Sequence, residues 1–322
     1  MNMILGQIYE LAVESGIAND LRGKASVLKH LKKTKEKYEA LPADEKEFFD
    51  EEKLKNPYSD TRILFGDRNK KIERAMVGID ADAGELLIAR YFSDHNKPID
   101  LYISHHPTGM ALASLDEVMH LQAEVMAKYG VPINIAESLL KLRISEVARG
   151  ISPINHQKTV MAAKNLGIAL MCAHTIADNM VASFLDKVIQ KSRPEYVGDL
   201  VKILRKIQEY SIAAKDNAGV KIFAGDKDNH CGKIALTEIT GGTEGSPKMY
   251  EKLAAAGVGT VVGMHMSEEH KKEAEAAHIN VVIAGHISSD SLGMNLFLDE
   301  LEKRGVEIVP ASGLIRVKRI KR

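Results

Sequence analysis

The 322-residue sequence predicts an α/β fold: two α/β lobes with mixed sheets flanked by helices, plus an N-terminal helical extension. Three observations carry this reading. Short runs rich in valine, isoleucine and leucine alternate with segments of helical period. The chain is long enough for two globular domains, and its 45% hydrophobic residues can supply a core for each. The first stretch differs in texture, being dense in charge. The expected division is a charged helical extension over residues 1–70, a first lobe over 71–190, and a second lobe with the C-terminal segment over 191–322.

In the extension, seven Lys/Arg residues lie between Arg22 and Lys37 and six carboxylates between Asp44 and Glu52, with Pro42 in the break. Blocks of this kind form solvated helical faces. The basic run lacks interleaved aromatic residues and is offset by the acidic one, so nucleic acid is not favoured as a partner. Over the whole chain Lys+Arg and Asp+Glu are both 44, which leaves no global field for nucleic acid, an anionic membrane or a polyacidic substrate. Two cysteines, Cys172 and Cys231, give no disulfide framework. The N-terminal residues do not follow the signal-peptide pattern, and no run of about 18–20 apolar residues occurs. A cytoplasmic protein with no membrane span is expected.

From Met76 onward strand and helix signals alternate. AMVGID and ELLIAR flank the turn-like DADAG and predict a hairpin. DLYIS reads as a strand running into HHP. SLDEVMHLQAEVMAKYG sets Ser114 and Glu117 in capping-box spacing, apolar residues at Leu115, Val118, Met119, Val125 and Met126, and Gly130 at the stop, which predicts an amphipathic helix. NIAESLLKLRISEVARG and HQKTVMAAKNLG read as two more, before the buried-looking strand IALMC and its polar ending AHTIADN. After a helix over DLVKILRKIQEYSIAAK come the strands VKIFAG and KIALTEIT, a Gly-rich turn GGTEGS, and then helices alternating with VGTVVGMH, NVVIAG and VEIVP. No low-complexity segment or short-period repeat interrupts the series.

In α/β sheets, ligands gather beyond the carboxyl ends of the strands. Four strands here end in histidine: His105 with His106, His174, His265 and His286. One such histidine is ordinarily a hydrogen-bonded structural residue, but the recurrence points to a ligand set. Three of the four endings are followed within five residues by a carboxylate. Imidazole with carboxylate suits Zn, Mn, Fe, Co or Ni, whereas all-oxygen sites suit Mg and Ca. In a regular strand His105 and His106 would point to opposite faces. At a strand end before Pro107, which biases His106 to extended backbone, they can diverge towards two neighbouring ions. His286 and Asp290 are four apart, so a helix starting in that turn would aim both into one crevice, with Asp178 closing the set from the other side. Asp178 and Asp290 also stand where helices begin, and helix capping is the competing reading of each.

Other motifs carry less. GMHMSEEH has one residue too many for HxxEH and is not HExxH. Ser267 reads as an N-cap with Glu268 and Glu269 in the first turn, leaving His265 and His270 to support ligands or touch substrate. GGTEGSPK lacks both the P-loop and the dinucleotide spacings and reads as a flexible turn. No G-x-S-x-G elbow occurs, so a serine hydrolase has no support.

HHP after a strand, HTIADN, and GHISSD near the C-terminus, in this order, resemble the Ngg-interacting-factor-three-like family, also known as domain of unknown function 34 and as GTP cyclohydrolase 1 type 2 homologues. The similarity runs from about Val77 to the C-terminus. The resemblance implies a binuclear metal site between two α/β lobes in a protein that assembles as a toroidal homo-hexamer. It places metal-binding histidines at His105 and His106, a carboxylate ligand at Asp178, and a further histidine at His286. Asp290 stands where the family has a glutamate, which leaves open whether one shorter carboxylate can serve both ions.

The leading expectation is a hydrolase using two divalent metal ions, held by His105, His106, Asp178, His286 and Asp290, with His174 or Glu268 moving a proton or orienting water. Its substrate would be a small molecule: a phosphate ester, a nucleotide or a ring C–N bond. The alternative is a metal-binding regulatory or metal-trafficking protein without turnover. A partner-binding scaffold using the N-terminal helices and the basic end RVKRIKR is a third reading, set against a solvated tail.

Overall fold

A computed structural model describes residues 3–95 and 98–320. Its strands are β1 (Met3–Ile4), β2 (Thr61–Phe65), β3 (Lys71–Ile72), β4 (Arg74–Gly78), β5 (Leu101–Ser104), β6 (Ala169–Ala173), β7 (Lys221–Ala224), β8 (Lys233–Glu238), β9 (Val258–Gly263), β10 (Asn280–Ile283) and β11 (Glu307–Pro310). They form a five-stranded sheet ordered β11-β4-β5-β6-β2, a four-stranded sheet ordered β7-β10-β9-β8, and a small β1-β3 pair. Both larger sheets are mixed, as expected: their strands run parallel except for one antiparallel edge strand, β2 on β6 and β7 on β10.

Side-chain alternation sorts the chain into layers, because successive residues of a strand point to opposite faces. In the five-stranded sheet Ala75, Val77, Leu101, Ile103 and Met171 face one core, shared with helices Leu5–Asn19, Thr175–Ser192 and His286–Lys303. Met76, Tyr102 and Leu170 face another, covered by helices Ala83–His95 and Gln157–Leu166. The four-stranded sheet divides likewise, with Ala235, Val261 and Val281 on one side and Leu236, Val262 and Val282 on the other. Both sheets are therefore covered on both faces, which is why their strands read as continuous apolar runs.

Two helices belong to both lobes. Helix Thr175–Ser192 gives Ile176, Ala177 and Met180 to the first core and Val181, Leu185 and Ile189 to the second. Helix His286–Lys303 gives Leu292 to the second core and Phe297 and Leu301 to the first. They approach so closely that a Cβ on Gly293 would collide with the Ala177 carbonyl oxygen. Asn179 adds a polar tie: its amide donates to Gly16 O and Asp20 Oδ2, and its own oxygen accepts from Thr240 Oγ1 at 2.7 Å.

Several local expectations are corrected. ELLIAR is not the second arm of a hairpin; it lies in helix Ala83–His95. Asp82 and Glu85 form the cap there, Gly84 N donating to Asp82 Oδ1 at 2.5 Å and Asp82 N to Glu85 Oε2 at 3.1 Å. The helix expected from Leu115 is broken into Leu115–Val118 and Leu121–Lys128, and Ser114 makes no side-chain cap. The segment after Arg193 is likewise two helices, Val197–Leu204 and Gln208–Lys215. The basic end is not a solvated tail. Arg316 pairs with Asp299 at 2.6 Å and Glu302 at 2.8 Å, and Arg319 grips the fully buried Glu209 with contacts of 2.7 and 2.6 Å. Among the described residues no helix is long and apolar enough to cross a membrane.

Candidate metal centre

The parallel order β4-β5-β6 brings three strand ends side by side: Asp80 beyond β4, His105 and His106 beyond β5, and His174 beyond β6. The order β10-β9-β8 does the same in the other sheet for His286, His265 and Glu238. Both edges line one cleft, with a cavity of about 30 Å³. Helix Thr175–Ser192 starts beside His174 and carries Asp178 one turn in, while helix His286–Lys303 starts at His286 and carries Asp290 one turn in. Gly285 precedes that second helix with φ 109°, a left-handed backbone that favours glycine.

Neither aspartate is a helix cap. Neither helix has a side-chain cap hydrogen bond. Asp290 Oδ1 and Oδ2 and Asp178 Oδ1 are buried without any hydrogen-bond partner, an arrangement costly enough to require an explanation. The imidazoles supply it. His105 Nε2 lies 3.4 Å from Asp290 Oδ1 and 3.5 Å from Asp178 Oδ1. His106 Nε2 lies 3.5 Å and His286 Nε2 3.6 Å from Asp290 Oδ2. His174 Nε2 is 4.0 Å from Asp178 Oδ2. These separations exceed ordinary hydrogen bonds. Donors held 2.0–2.2 Å from an ion in tetrahedral directions stand about 3.4 Å apart, close to the 3.4–3.6 Å found around His105 and Asp290, with the His174–Asp178 pair wider.

The far nitrogens of three rings are held. His106 Nδ1 meets Asp80 Oδ1 at 2.8 Å, His174 Nδ1 meets Asp60 Oδ2 at 2.8 Å, and His105 Nδ1 meets Ala173 O at 3.2 Å. Thr175 Oγ1 donates to the same Asp60 oxygen at 2.6 Å. Tying Nδ1 to an acceptor fixes the tautomer that leaves Nε2 as a ligand. Two groups can thus each hold a metal ion, His105 with His174 and Asp178, and His105 with His106 and Asp290, the ligand atoms of each lying within 4.8 Å of one another.

The electrostatics fit a site shaped for cations. Burial lifts the Asp178 carboxyl to about 8, against the pull of His105. Burial also opposes ionisation of Asp290, but the imidazoles of His105 and His106 outweigh it and hold that carboxyl well below the usual range. Burial disfavours protonated His106, yet Asp290 and Asp80 raise its pKa to about 9. His286, desolvated and near other imidazoles, falls to about 4 despite Asp290. A bound divalent cation would displace these protons.

Of the residues expected at the site, His105, His106, His174, Asp178, His286 and Asp290 are brought together. Glu268 is not: its side chain is 72% exposed and stands 4.0 Å from Lys272. Ser267 does cap that helix, as expected. The second lobe instead contributes Glu238, Glu244 and His265 to the cleft. Glu244 sits in the GGTEGS loop, which is not a loose turn, because Gln122 Nε2 donates to Gly241 O at 2.9 Å and Thr243 O at 2.7 Å. Its carboxylate meets His265 Nδ1 at 3.1 Å and His270 Nδ1 at 3.6 Å. Burial opposes ionisation of Glu244, but the bond to His265 outweighs it and lowers its pKa, whereas burial, with the Glu244 charge adding, lifts Glu238 to about 8. Asp60, Asp80, Glu238 and Glu244 were not expected at the site. Asp80 was within reach of the strand-end rule, since it stands two residues past the end of β4.

The architecture of two mixed sheets sharing two helices matches the NIF3 fold. The chain is similar to a NIF3 superfamily protein from Sphaerobacter thermophilus, over 98% of this chain and 100% of that one, with 24% identity and a TM-score of 0.74. It is also similar to reduced HcgD from Methanocaldococcus jannaschii (15% identity, 77% of this chain and 87% of that one, TM-score 0.46) and to a Bacillus cereus protein related to NIF3 (11%, 81% and 91%, 0.42). No protein-family model and no curated protein matches the sequence.

Proposed function

We propose that the chain is a member of the NIF3 superfamily and a metal-dependent hydrolase with two divalent ions. One ion would be held by His105 and Asp178, the other by His106 and His286, with Asp290 shared between them. The observation that carries this reading is Asp290 itself: one buried, unpartnered oxygen faces His105 and the other faces His106 and His286. That arrangement supports an aspartate here doing what a longer glutamate would do. Two ions bound there would acidify a water and polarise a substrate oxygen.

The chain's own groups account for the rest. Asp60 fixes the His174 ring so that Nε2 faces the cleft; left out of the two ion positions, that nitrogen would move a proton or orient water. Asp80 orients His106 in the same way. The same histidine and aspartate groups would serve a second reading, metal binding or trafficking without turnover. The two are separated by assaying metal-loaded and metal-stripped protein against phosphate esters, nucleotides and cyclic amides: product formed only by the loaded form supports the hydrolase, and none from any panel supports the alternative.

A further inference from the structure

A second and larger cavity, of about 810 Å³, lies between helix Lys24–Glu39 and helices Leu121–Lys128 and Ile133–Ile151, and it shares no lining residue with the metal cleft. Small-molecule sites run to about 300–1,000 Å³ and form readily between helices. Helix Lys24–Glu39 buries only Val27 among its residues, so its place on the protein is not explained by core packing. Its charges fall into two sets. Outside the cavity, Lys32 with Glu36 and Lys35 with Glu39 form pairs four residues apart. Lys29, Lys33 and Lys37 line the cavity at the same spacing, yet their side chains make no ion pair or hydrogen bond with the described residues. Like charges four apart on a helix repel and destabilise it.

The rest of the lining does not cancel this charge. Lys141 adds a fourth unpaired ammonium group from the facing helix, and Glu117 is already engaged by Lys53 at 2.6 Å. Only Glu124 and Glu137 remain against the four lysines. Burial and then the cations Arg22, Lys37, His120 and Lys33 hold the His30 pKa below its ordinary value, which marks a positive field in the groove. The floor is apolar, made by the buried Ala123, Leu140 and Ile144. A phosphate head, with nearly two negative charges and three acceptor oxygens, engages several ammonium groups where a carboxylate would engage fewer. An extended nucleic acid fits poorly, because the lining offers no Phe, Tyr or Trp for base stacking and Glu124 and Glu137 would repel a continuous backbone.

We propose that this cavity binds a small amphiphilic organophosphate, its phosphate held by Lys29, Lys33, Lys37 and Lys141 and its aliphatic body laid on Ala123, Leu140 and Ile144. The anion replaces the missing carboxylates along the helix and relieves the repulsion among its lysines. The site is independent of the two-metal reading.

The test is calorimetric titration of the full chain with hexyl phosphate, inorganic phosphate and hexyl glucoside, each on metal-loaded and on chelator-stripped protein. Hexyl phosphate should bind at least tenfold tighter than either of the others, with the same affinity in both metal states. Replacing the three helix lysines together, Lys29→Gln, Lys33→Gln and Lys37→Gln, should weaken it at least tenfold while metal content stays at the wild-type value. If that variant does not fold, Lys141→Gln on the facing helix replaces it, with at least a threefold loss expected. Inorganic phosphate or hexyl glucoside binding as tightly as hexyl phosphate, or no binding of hexyl phosphate, overturns the assignment. So does affinity that the lysine substitutions leave unchanged, or affinity that vanishes with the metal, which would place the phosphate at the metal centre.

Discussion

Asp290→Asn should damage both metal positions at once. The substitution keeps the side-chain shape but removes the charge and replaces one acceptor oxygen with a donor. In the native protein one oxygen is 3.4 Å from His105 Nε2 and the other 3.5 Å from His106 Nε2, so neither side of the cleft keeps its full ligand set. Asp80→Asn is the control. The Asp80 carboxylate meets the far nitrogen of His106, at 2.8 Å, and loss of such a supporting group costs about 10–100-fold in metal affinity. Loss of a direct, charged ligand should cost at least the upper end, about 100-fold or about 2.7 kcal/mol per ion. Calorimetric titration with Zn, followed by dialysis and elemental analysis, reads both affinity and stoichiometry. Asp290→Asn should weaken both binding events and Asp80→Asn only one. An Asp290→Asn protein that keeps both ions with dissociation constants within threefold of wild type would refute the shared-carboxylate geometry.

Metal-free protein should lose stability as pH rises from 6 to 9. His106, raised from its ordinary 6.5 to about 9, contributes stability that is complete below 6.5 and lost through 9, and Asp178, raised from 3.8 to about 8, carries an ionisation penalty that begins above 3.8, is still growing between 6 and 8, and is complete above 8. Thermal melts at pH 6, 7, 8 and 9 should show a falling midpoint that saturating Zn flattens; a midpoint that rises with pH would contradict the burial argument. Gly293→Ala forces a methyl group onto the Ala177 carbonyl, so urea unfolding should show a loss of about 1–3 kcal/mol together with weaker metal binding, because the two helices carry Asp178 and Asp290. Unchanged stability would mean that the helices are not in tight contact. Arg319→Ala leaves the fully buried Glu209 without its bidentate partner and should cost about 3–5 kcal/mol by denaturant titration, whereas a solvated tail would give no change.

The residues that the cleft brings together were legible because each stands at or just past a strand end, where local pattern is strongest: HHP after DLYIS, AHTIAD after IALMC, GHISSD after NVVI. What the sequence hid was the support. Asp60 reaches His174 across 114 positions, and nothing in NPYSDTR marks it as the partner of a histidine. Glu244 lies in a Gly-rich turn whose order comes from Gln122, more than a hundred residues earlier, so local composition suggested looseness where tertiary hydrogen bonds impose rigidity. ELLIAR was misjudged because a short apolar run fits strand and helix alike, and the deciding signal was the Asp82–Glu85 capping spacing just before it. The basic C-terminus looked solvated because its acidic partners Glu209, Asp299 and Glu302 lie on helices remote in the pattern.

The central claim is that one carboxylate and its surrounding imidazoles hold a pair of ions, and metal stoichiometry tests it most directly. Purified wild-type chain, stripped by chelator, reloaded separately with Zn, Mn and Fe and freed of excess by dialysis, should retain two ions per chain of at least one of these metals by elemental analysis, and His105→Ala with His106→Ala should retain at most one. Retention of one ion or none by the wild type with every metal would contradict the account.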